Sequence, residues 1–284
     1  MANGRTAAIT GSTGGIGTAI ARGLAEDGWS LVLVNRSRTK ALAQKEELQR
    51  DFPTIRIQTV QTDLMDLESI KTSCDEIAQI TDHIDALYCV AGVLTSQRTL
   101  SAQGHESHYA VNVLAPYALI RNLAPLLTRA ESDEHGMVVT MSSSAINRPK
   151  LDTSSLSDPA SIGGLMGAYA HTKLAMTAMC VQMAPELEES GVLIRAIDPG
   201  PTKTSMTSGG DGMPIVLRWL VPLLFADAST QAAKVIKAAD PEGLDKRTGV
   251  FVSSGRIKPL PSSIAEAPER AKLMDTIASA YASS

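Results

Sequence analysis

The sequence predicts an α/β fold: one doubly wound domain built on a parallel sheet of about seven strands, with helices on both faces. Short apolar runs rich in β-branched residues alternate with longer helical patterns along the chain. Such uninterrupted apolar strands are typical of a parallel sheet covered on both faces, and right-handed crossovers then produce the doubly wound order. The chain has 284 residues and shows no internal repeat or interdomain linker. We therefore expect residues 1–284 to form a single domain.

The first half of the chain predicts four strands separated by three helices. Each strand is a short apolar run. Each helix carries apolar side chains at three- and four-residue spacing, as Ile16, Ile20 and Leu24 do in the first helix. The predicted strands span residues 6–10, 30–35, 55–61 and 84–90, and the predicted helices span 15–27, 39–51 and 66–81.

The second half continues this alternation, with two irregular interruptions. Helices are predicted at 105–127, 167–190 and 228–239, and strands at 137–141, 192–198 and 249–252. Pro116, Pro125 and Pro185 lie inside or near two of these helices, which we therefore expect to be kinked or shortened. The irregular segments are 145–164 and 205–225, whereas the charged stretch 266–272 predicts a solvated helix face.

Composition excludes several classes of protein. Hydrophobic residues make up 44% and charged residues 20%, which argues against disorder, and the net charge of −4 argues against nucleic-acid binding. Three widely separated cysteines, Cys74, Cys89 and Cys180, indicate a reducing compartment, so we expect a cytoplasmic protein. No signal peptide fits before the first strand, and no apolar run reaches the roughly 18–20 residues of a membrane span.

A glycine-rich segment follows the first predicted strand: Thr10-Gly11-Ser12-Thr13-Gly14-Gly15-Ile16-Gly17. Glycines at a strand-to-helix junction let backbone N–H groups approach a pyrophosphate. The spacing is G-x-x-x-G-x-G rather than the G-x-G-x-x-G of the standard dinucleotide fingerprint. The alternative is a generic turn, but its place at the first strand–helix junction favours a cofactor loop.

The end of the second strand predicts which dinucleotide binds. A carboxylate at this place would accept hydrogen bonds from the adenosine ribose of NAD, but here Asn35 is followed by Arg36. An arginine can pair with a 2′-phosphate, and Arg38 and Lys40 lie close in sequence. We therefore expect NADP(H) to be favoured over NAD(H). The alternative is that Arg36 is an ordinary surface residue.

Two later strand ends also suggest contacts with the cofactor. Asp63 and Leu64 follow the third strand, where Asp63 is placed either to meet the adenine amino group or to cap the next helix. Ala91 and Gly92 end the fourth strand with small residues, which suits a close approach of backbone to ligand.

A tyrosine and a lysine lie four residues apart on the predicted helix 167–190. Positions four apart share a helix face, so Tyr169 and Lys173 are expected to be neighbours. A nearby ammonium favours the phenolate and lowers the pKa of a tyrosine, which would make Tyr169 a usable acid or base near neutral pH. Taken alone, the pair is equally consistent with a solvated helix face.

Together, these motifs resemble the short-chain dehydrogenase/reductase family, whose members share a Rossmann fold. The resemblance covers residues 5–204 well and rests on the motifs in their order along the chain: Gly11 to Gly17, Asp63, Ala91-Gly92, Asn112, Ser142-Ser143, Tyr169-x-x-x-Lys173 and Pro199-Gly200-Pro201-Thr202-Lys203-Thr204.

The resemblance implies a role for each matching residue. Tyr169 would donate or remove the proton at the substrate oxygen. Lys173 would lower the pKa of Tyr169 and hold the nicotinamide ribose. Asn112 would hold a water of a proton relay. Ser143 would polarise the carbonyl, with Ser142 as second choice. The segment holding Pro199, Gly200, Thr202 and Thr204 would contact the nicotinamide.

The implied activity is hydride transfer between a nicotinamide and a carbonyl/alcohol pair. The alternatives are a C=C reductase or dehydratase on the same scaffold and a non-catalytic cofactor sensor. The implied partner is an apolar small-molecule substrate. The resemblance also implies a homo-oligomer, a dimer or a tetramer, that forms through helices 105–127 and 167–190.

The chain departs from the family pattern in two places. Cys89 stands where the family has a structural asparagine, and Tyr169 lies 26 positions after Ser143, about twice the family's spacing. This active-site insertion near 145–167 resembles the retinol dehydrogenase and protochlorophyllide reductase branch. The segment near 205–225 is expected to cover an apolar substrate, with core packing and membrane or partner contact as alternatives. His105 and His108 lack a third ligand cluster, so we expect no metal.

Overall fold

The computed structural model describes residues 4–128, 134–158, 164–202 and 226–283. Its sheet has eight strands in the order β3-β2-β1-β4-β5-β6-β7-β8, and all pairs are parallel except β7–β8. The strands are β1 Thr6–Thr10, β2 Ser30–Asn35, β3 Ile57–Gln61, β4 Ala86–Cys89, β5 Gly136–Met141, β6 Val192–Asp198, β7 Val250–Ser253 and β8 Arg256–Lys258. This confirms the predicted doubly wound α/β fold.

Helices cover both faces of the sheet. One face carries α3, α5, α6 and α9, and the other carries α1, α2 and α7. The helices are α1 Gly15–Glu26, α2 Arg38–Asp51, α3 Leu67–Ile80, α4 Ser107–Tyr109, α5 Ala115–Leu127, α6 Gly164–Glu189, α7 Ala228–Ala238, α8 Ser262–Ala265 and α9 Ala267–Ala282. A π-helical turn, Ala110–Leu114, joins α4 to α5.

Burial on both faces explains why the strands read as continuous apolar runs. In β5, Val138 belongs to the core under α5 and α6, whereas its neighbours Met137 and Val139 belong to the core under α1 and α7. Side chains alternate between faces along a strand, so a strand with two cores is apolar at most of its positions.

The last strand was missed because its sequence carries no apolar run. β8 has three residues, of which Arg256 and Lys258 are exposed. The turn before it is Ser254-Gly255, with φ of 54° and 71°, which suits the primed turns of tight hairpins. The other predicted boundaries differ by a few residues. Helices α5 and α6 contain Pro125 and Pro185 and still extend to Leu127 and Glu189.

A buried arginine fastens the sheet to the loop after α7. Arg195 on β6 is fully buried, and its guanidinium donates to the carbonyls of Ala238, Asp240 and Gly243 at 2.7–2.9 Å. Its Nε donates to the Arg247 carbonyl at 2.8 Å. The charge is therefore balanced by backbone dipoles, including the C-terminal end of α7, which favours a cation.

One stretch in the described part of the chain, Ser107–Leu127, is long and apolar enough to cross a membrane by length and composition alone. It is mostly buried, since α5 packs between α3 and the sheet. Core packing therefore accounts for its apolar character.

Candidate active site

The glycine-rich loop lies where the carboxyl ends of β1 and β4 meet. Gly11 has a φ of 66°, and a Cβ there would lie 2.9 Å from the Ala91 Cα. A Cβ on Gly17 would collide with the Gly11 carbonyl. Gly14 caps α1 without a side-chain bond, and the first turn of α1 has no acidic residue. The loop thus fits a pyrophosphate, because backbone N–H groups at an open helix N-terminus bind anions.

Ser12 of this loop is hydrogen-bonded to two buried side chains, Asn35 on β2 and Gln44 on α2. Ser12 is fully buried, and its hydroxyl donates to the Gln44 Oε1 at 2.7 Å while accepting from the Asn35 Nδ2 at 2.7 Å. Gln44 on α2 donates back to the Ser12 carbonyl at 2.7 Å. The Asn35 Oδ1 accepts from the Thr13 N–H and hydroxyl at 3.2 Å. The Asn35 amide is therefore occupied within the protein, and Gln44 is a loop-holding residue that no motif indicated.

The cations expected at the adenosine ribose are exposed. Arg36, Arg38 and Lys40 all lie on the surface at the start of α2. The Arg36 backbone carbonyl accepts from the Gln61 Nε2 at 3.2 Å, which holds the backbone and leaves the guanidinium at the surface.

Asp63 does not cap the following helix. Asp66 does so, accepting from the Glu68 N–H at 3.1 Å, while Asp63 accepts from the Met65 N–H at 3.0 Å. The adenine contact of Asp63 and Leu64 stays a prediction. Cys89, which replaces the family's asparagine, is buried, and burial raises the pKa of its thiol to about 12. It therefore packs as a neutral apolar group.

Asn112 lies in the π-helical turn and fastens the segment after β4. Its Oδ1 accepts from the Val93 N–H at 2.8 Å, and its Nδ2 donates to the Val93 carbonyl at 3.1 Å and to the Thr172 hydroxyl at 3.2 Å. A Cβ on Gly92 would lie 3.1 Å from the Asn112 Oδ1 and 3.4 Å from the Lys173 Nζ. The small residue at this position thus lets both side chains approach the backbone.

Lys173 is buried at the carboxyl end of β5. Its Nζ donates to the Met141 carbonyl at 2.7 Å. Burial lowers the pKa of its ammonium to about 8, because a charged group loses hydration in the interior. The same Nζ lies 5.7 Å from the centre of the Tyr169 ring, so the predicted sharing of one helix face holds.

The two serines after β5 have different environments. Ser142 is buried, and its hydroxyl shares a 2.7 Å hydrogen bond with the Thr177 hydroxyl. Ser143 is half-buried and lines the same cavity as Tyr169. Geometry therefore favours Ser143 for contact with a substrate.

The pKa of Tyr169 is shifted in the direction opposite to the one that its spacing from Lys173 predicts. Burial raises the pKa of the phenol above its ordinary value, the hydrogen bond with Ser143 opposes that shift, and the negative charge of Asp198 adds to it. The Lys173 Nζ is directed to the Met141 carbonyl. Desolvation of the phenol is therefore the largest influence on its pKa in this structure.

A cavity of about 400 Å³ joins these groups. Its charged lining comprises Lys173, Arg148 and Asp198. The Asp198 carboxylate accepts from the Gly200 N–H at 2.9 Å and from the Ser253 hydroxyl at 3.0 Å. The other lining residues are mainly small or apolar: Ile16, Val90, Gly92, Leu94, Met141, Ser142, Ser143, Ser144, Ala145, Met166, Tyr169, Pro199, Gly200, Pro201 and Thr202.

Some of the predicted site residues are not among those that the structure describes. Thr204 and the covering segment 205–225 lie outside the described residues, as do residues 159–163 of the insertion.

His108 bonds Glu106 through Nδ1 at 2.9 Å and accepts from the Thr95 N–H through Nε2 at 3.3 Å. His171 accepts from the Asp152 N–H at 3.0 Å. Both histidines thus hold loops beside the cavity.

Comparison with known proteins identifies relatives. A family model described as short chain dehydrogenase matches residues 5–211. Dehydrogenase/reductase SDR family member 13 of Bos taurus is 31% identical over 223 residues, covering 78% of this chain. The chain spans only 56% of that relative's length. Retinol dehydrogenase 13 of Homo sapiens is 27% identical over 251 residues, covering 84% of this chain and 75% of that protein.

A solved structure shows the same fold. The chain resembles a short chain dehydrogenase from Burkholderia cenocepacia J2315 in complex with NADP, with a TM-score of 0.71 and 23% identity. The match covers 89% of this chain and 96% of that one.

Replacing Gln44 tests whether it holds the cofactor loop. In Gln44→Ala, Ser12 loses one donor and one acceptor, so we expect the Kd of NADPH to rise about fivefold, the equivalent of about 1 kcal/mol. The Kd of NADH should rise equally, because the loop holds the pyrophosphate common to both. Fluorescence titration measures both values. Glu46→Ala, at an exposed position of the same helix, is the control, and equal Kd values for both variants would exclude the role.

Replacing Lys173 tests its buried charge. With a folded-state pKa of about 8 against about 10.4 when unfolded, the unfolded chain binds more protons between these pH values. Wild-type stability should therefore rise with pH relative to Lys173→Met, by about 2 kcal/mol between pH 7 and pH 10. Urea unfolding of both proteins at each pH measures this. A pH-independent difference would mean that the ammonium keeps its ordinary pKa.

Proposed function

Since the chain belongs to the short-chain dehydrogenase family and is an NAD(P)-dependent oxidoreductase, we propose that it reduces the carbonyl group of an apolar small molecule, with NADPH favoured over NADH. One observation carries this proposal. Ser143, Tyr169 and Lys173 line one cavity, which Ile16 of the glycine-rich loop also lines.

Ser143 and Tyr169 have different roles in proton transfer to the substrate. Ser143 and Tyr169 both line the cavity, so a carbonyl oxygen placed between their hydroxyls receives one donor from each. Tyr169 then releases its phenolic proton to the developing alkoxide, as a positioned general acid. When bound, the nicotinamide supplies the hydride.

Lys173 and Asn112 support this pair from the interior. The Lys173 ammonium lies beside the Tyr169 ring and stabilises negative charge that develops on the phenolate. The Asn112 amide fixes the segment after β4 against α6, which keeps this side of the cavity in place. In the family this asparagine region holds a relay water, and we propose the same use here.

The proposed preference for NADPH rests on Asn35 and Arg36 at the end of β2. No carboxylate stands there, and the Asn35 amide is already bonded to Ser12 and Thr13. Arg36 is the exposed cation next along the chain. A guanidinium binds a phosphate through paired, charge-assisted hydrogen bonds, so a 2′-phosphate meets a favourable partner and no repelling acid.

The apolar substrate follows from the cavity walls. Leu94, Ala145 and Met166 lie on the substrate side, and pockets that bind small molecules are mostly apolar with a few placed polar groups. A homo-oligomer and a cytoplasmic location remain predictions of the sequence.

Removing the phenolic hydroxyl tests the proton donor. Tyr169→Phe should lose at least about a hundredfold in kcat, since positioned acid catalysis contributes about 10²–10⁴. NADPH oxidation at 340 nm with a panel of apolar aldehydes and ketones is the measurement. Tyr88→Phe is the matched control, because Tyr88 does not line the cavity and its hydroxyl bonds no described residue. Near wild-type turnover by Tyr169→Phe would refute the role. Mass spectrometry of the product separates carbonyl from C=C reduction.

Replacing Arg36 tests the choice of cofactor. Arg36→Ala removes the proposed partner of the 2′-phosphate, so the Kd of NADPH should rise at least about tenfold, while that of NADH stays within about twofold. Calorimetric titration gives both constants. Arg50→Ala, at an exposed position at the far end of α2, controls for net charge. Equal weakening of both cofactors would contradict the contact.

A further inference from the structure

The cavity holds a cation that the proposed mechanism does not use. Arg148 is one of two cationic side chains among its described lining residues, and the other, Lys173, is buried against the Met141 carbonyl. The Arg148 side chain is exposed and lines the cavity from the insertion after β5. It lies five positions after Ser143, on the segment that follows β5.

A short turn joins Arg148 to the active serine. The 3₁₀ turn Ser144–Asn147 begins after Ser143, whose Oγ accepts from the Ala145 N–H at 3.2 Å, and it ends where the Arg148 N–H donates to the Ala145 carbonyl at 3.1 Å. Ile146, in the middle of the turn, is fully buried and anchors it in the core. The spacing between Ser143 and Arg148 is therefore set by backbone hydrogen bonds.

No described residue neutralises Arg148. Arg22, Arg98 and Arg121 each pair with a carboxylate, whereas Arg148 makes no ion pair or side-chain hydrogen bond within the described ranges. The carboxylate in the cavity, Asp198, is bonded to Gly200 and Ser253. An anion that enters the cavity thus meets a guanidinium that no described residue pairs with.

Apolar groups lie alongside this cation. Leu94, Ala145 and Met166 line the same cavity, and Met166 is 46% exposed. A ligand with its carbonyl at Ser143 and Tyr169 would lay an apolar body on these side chains and place a terminal group near Arg148.

We propose that the substrate carries a carboxylate remote from its carbonyl group and that Arg148 binds this carboxylate. The inference rests on the proposed function and narrows its substrate class to apolar oxo acids. Guanidinium and carboxylate match as paired donors and acceptors. The pairing acts on substrate binding and leaves the chemical step to Ser143 and Tyr169.

The test compares charged and neutral forms of one aldehyde. The probes are 4-formylbenzoate and 9-oxononanoate, each against its methyl ester, with NADPH as reductant. Wild-type enzyme should show a kcat/KM at least about tenfold higher for each acid than for its ester. In Arg148→Gln this preference should vanish through a rise in KM for the acids, while values for the esters and kcat stay unchanged.

Two controls separate a specific contact from general charge. Lys150→Gln removes a cation from an exposed position two residues away that does not line the cavity, and it should keep the preference. Arg148→Lys keeps the charge but loses the paired donors, and it should recover part of the preference. Equal kcat/KM for acid and ester in the wild type, or an equal effect of Arg148→Gln on both, would overturn the proposal.

A binding measurement distinguishes failure of this inference from failure of the proposed function. Calorimetry of the NADPH complex with 4-(hydroxymethyl)benzoate and its methyl ester reports the contact without turnover. If no aldehyde is reduced but the acid binds only when Arg148 is present, carbonyl reduction fails and the carboxylate site stands. If aldehydes are reduced with dependence on Tyr169 but acid and ester bind equally, reductase activity stands and the carboxylate site fails.

Discussion

The hydrogen bond from the Lys173 Nζ to the Met141 carbonyl, 2.7 Å long, is the constraint on which the active site depends. It fastens α6 to the carboxyl end of β5, directly before Ser142 and Ser143. Tyr169 lies one helical turn away on the same face, so the bond also sets where the phenol meets the serine. An ammonium in the interior must be hydrogen-bonded, and this requirement leaves α6 little freedom to move relative to the sheet.

The cofactor side depends on a second buried polar contact. Gln44, Asn35 and Ser12 join α2, β2 and the glycine-rich loop through side-chain hydrogen bonds of 2.7 Å. Buried amides that satisfy one another specify a single arrangement, because any shift leaves a polar group unpaired. The amide that supports the loop stands where a carboxylate would otherwise contact a ribose. In the proposed complex with NADPH, Asn35 would therefore serve both loop support and the space for a phosphate beside Arg36.

The insertion after β5 is fastened to the rest of the protein at two described places. His171 on α6 accepts from the Asp152 N–H, and the Arg98 guanidinium binds the Asp158 carboxylate at 2.9–3.2 Å. The insertion is thus held by the catalytic helix on one side and by the segment after β4 on the other. Arg148 lies at its start, five positions after Ser143, and in our proposal it selects the ligand while Tyr169 remains the proton donor.

The sequence by itself determined the fold class, the glycine-rich loop and the Tyr169–Lys173 pair, because these follow from local rules: side-chain period, glycine at tight turns and the four-residue spacing of a helix face. The tertiary structure alone decided the features that join distant residues. It directed the Ser142 hydroxyl to Thr177 and that of Ser143 into the cavity, and it paired Asn35 with Ser12. It also raised the pKa of Tyr169 where the neighbouring ammonium predicted a fall. Burial and hydrogen-bond partners arise only when separate elements pack, so no spacing along the chain encodes them.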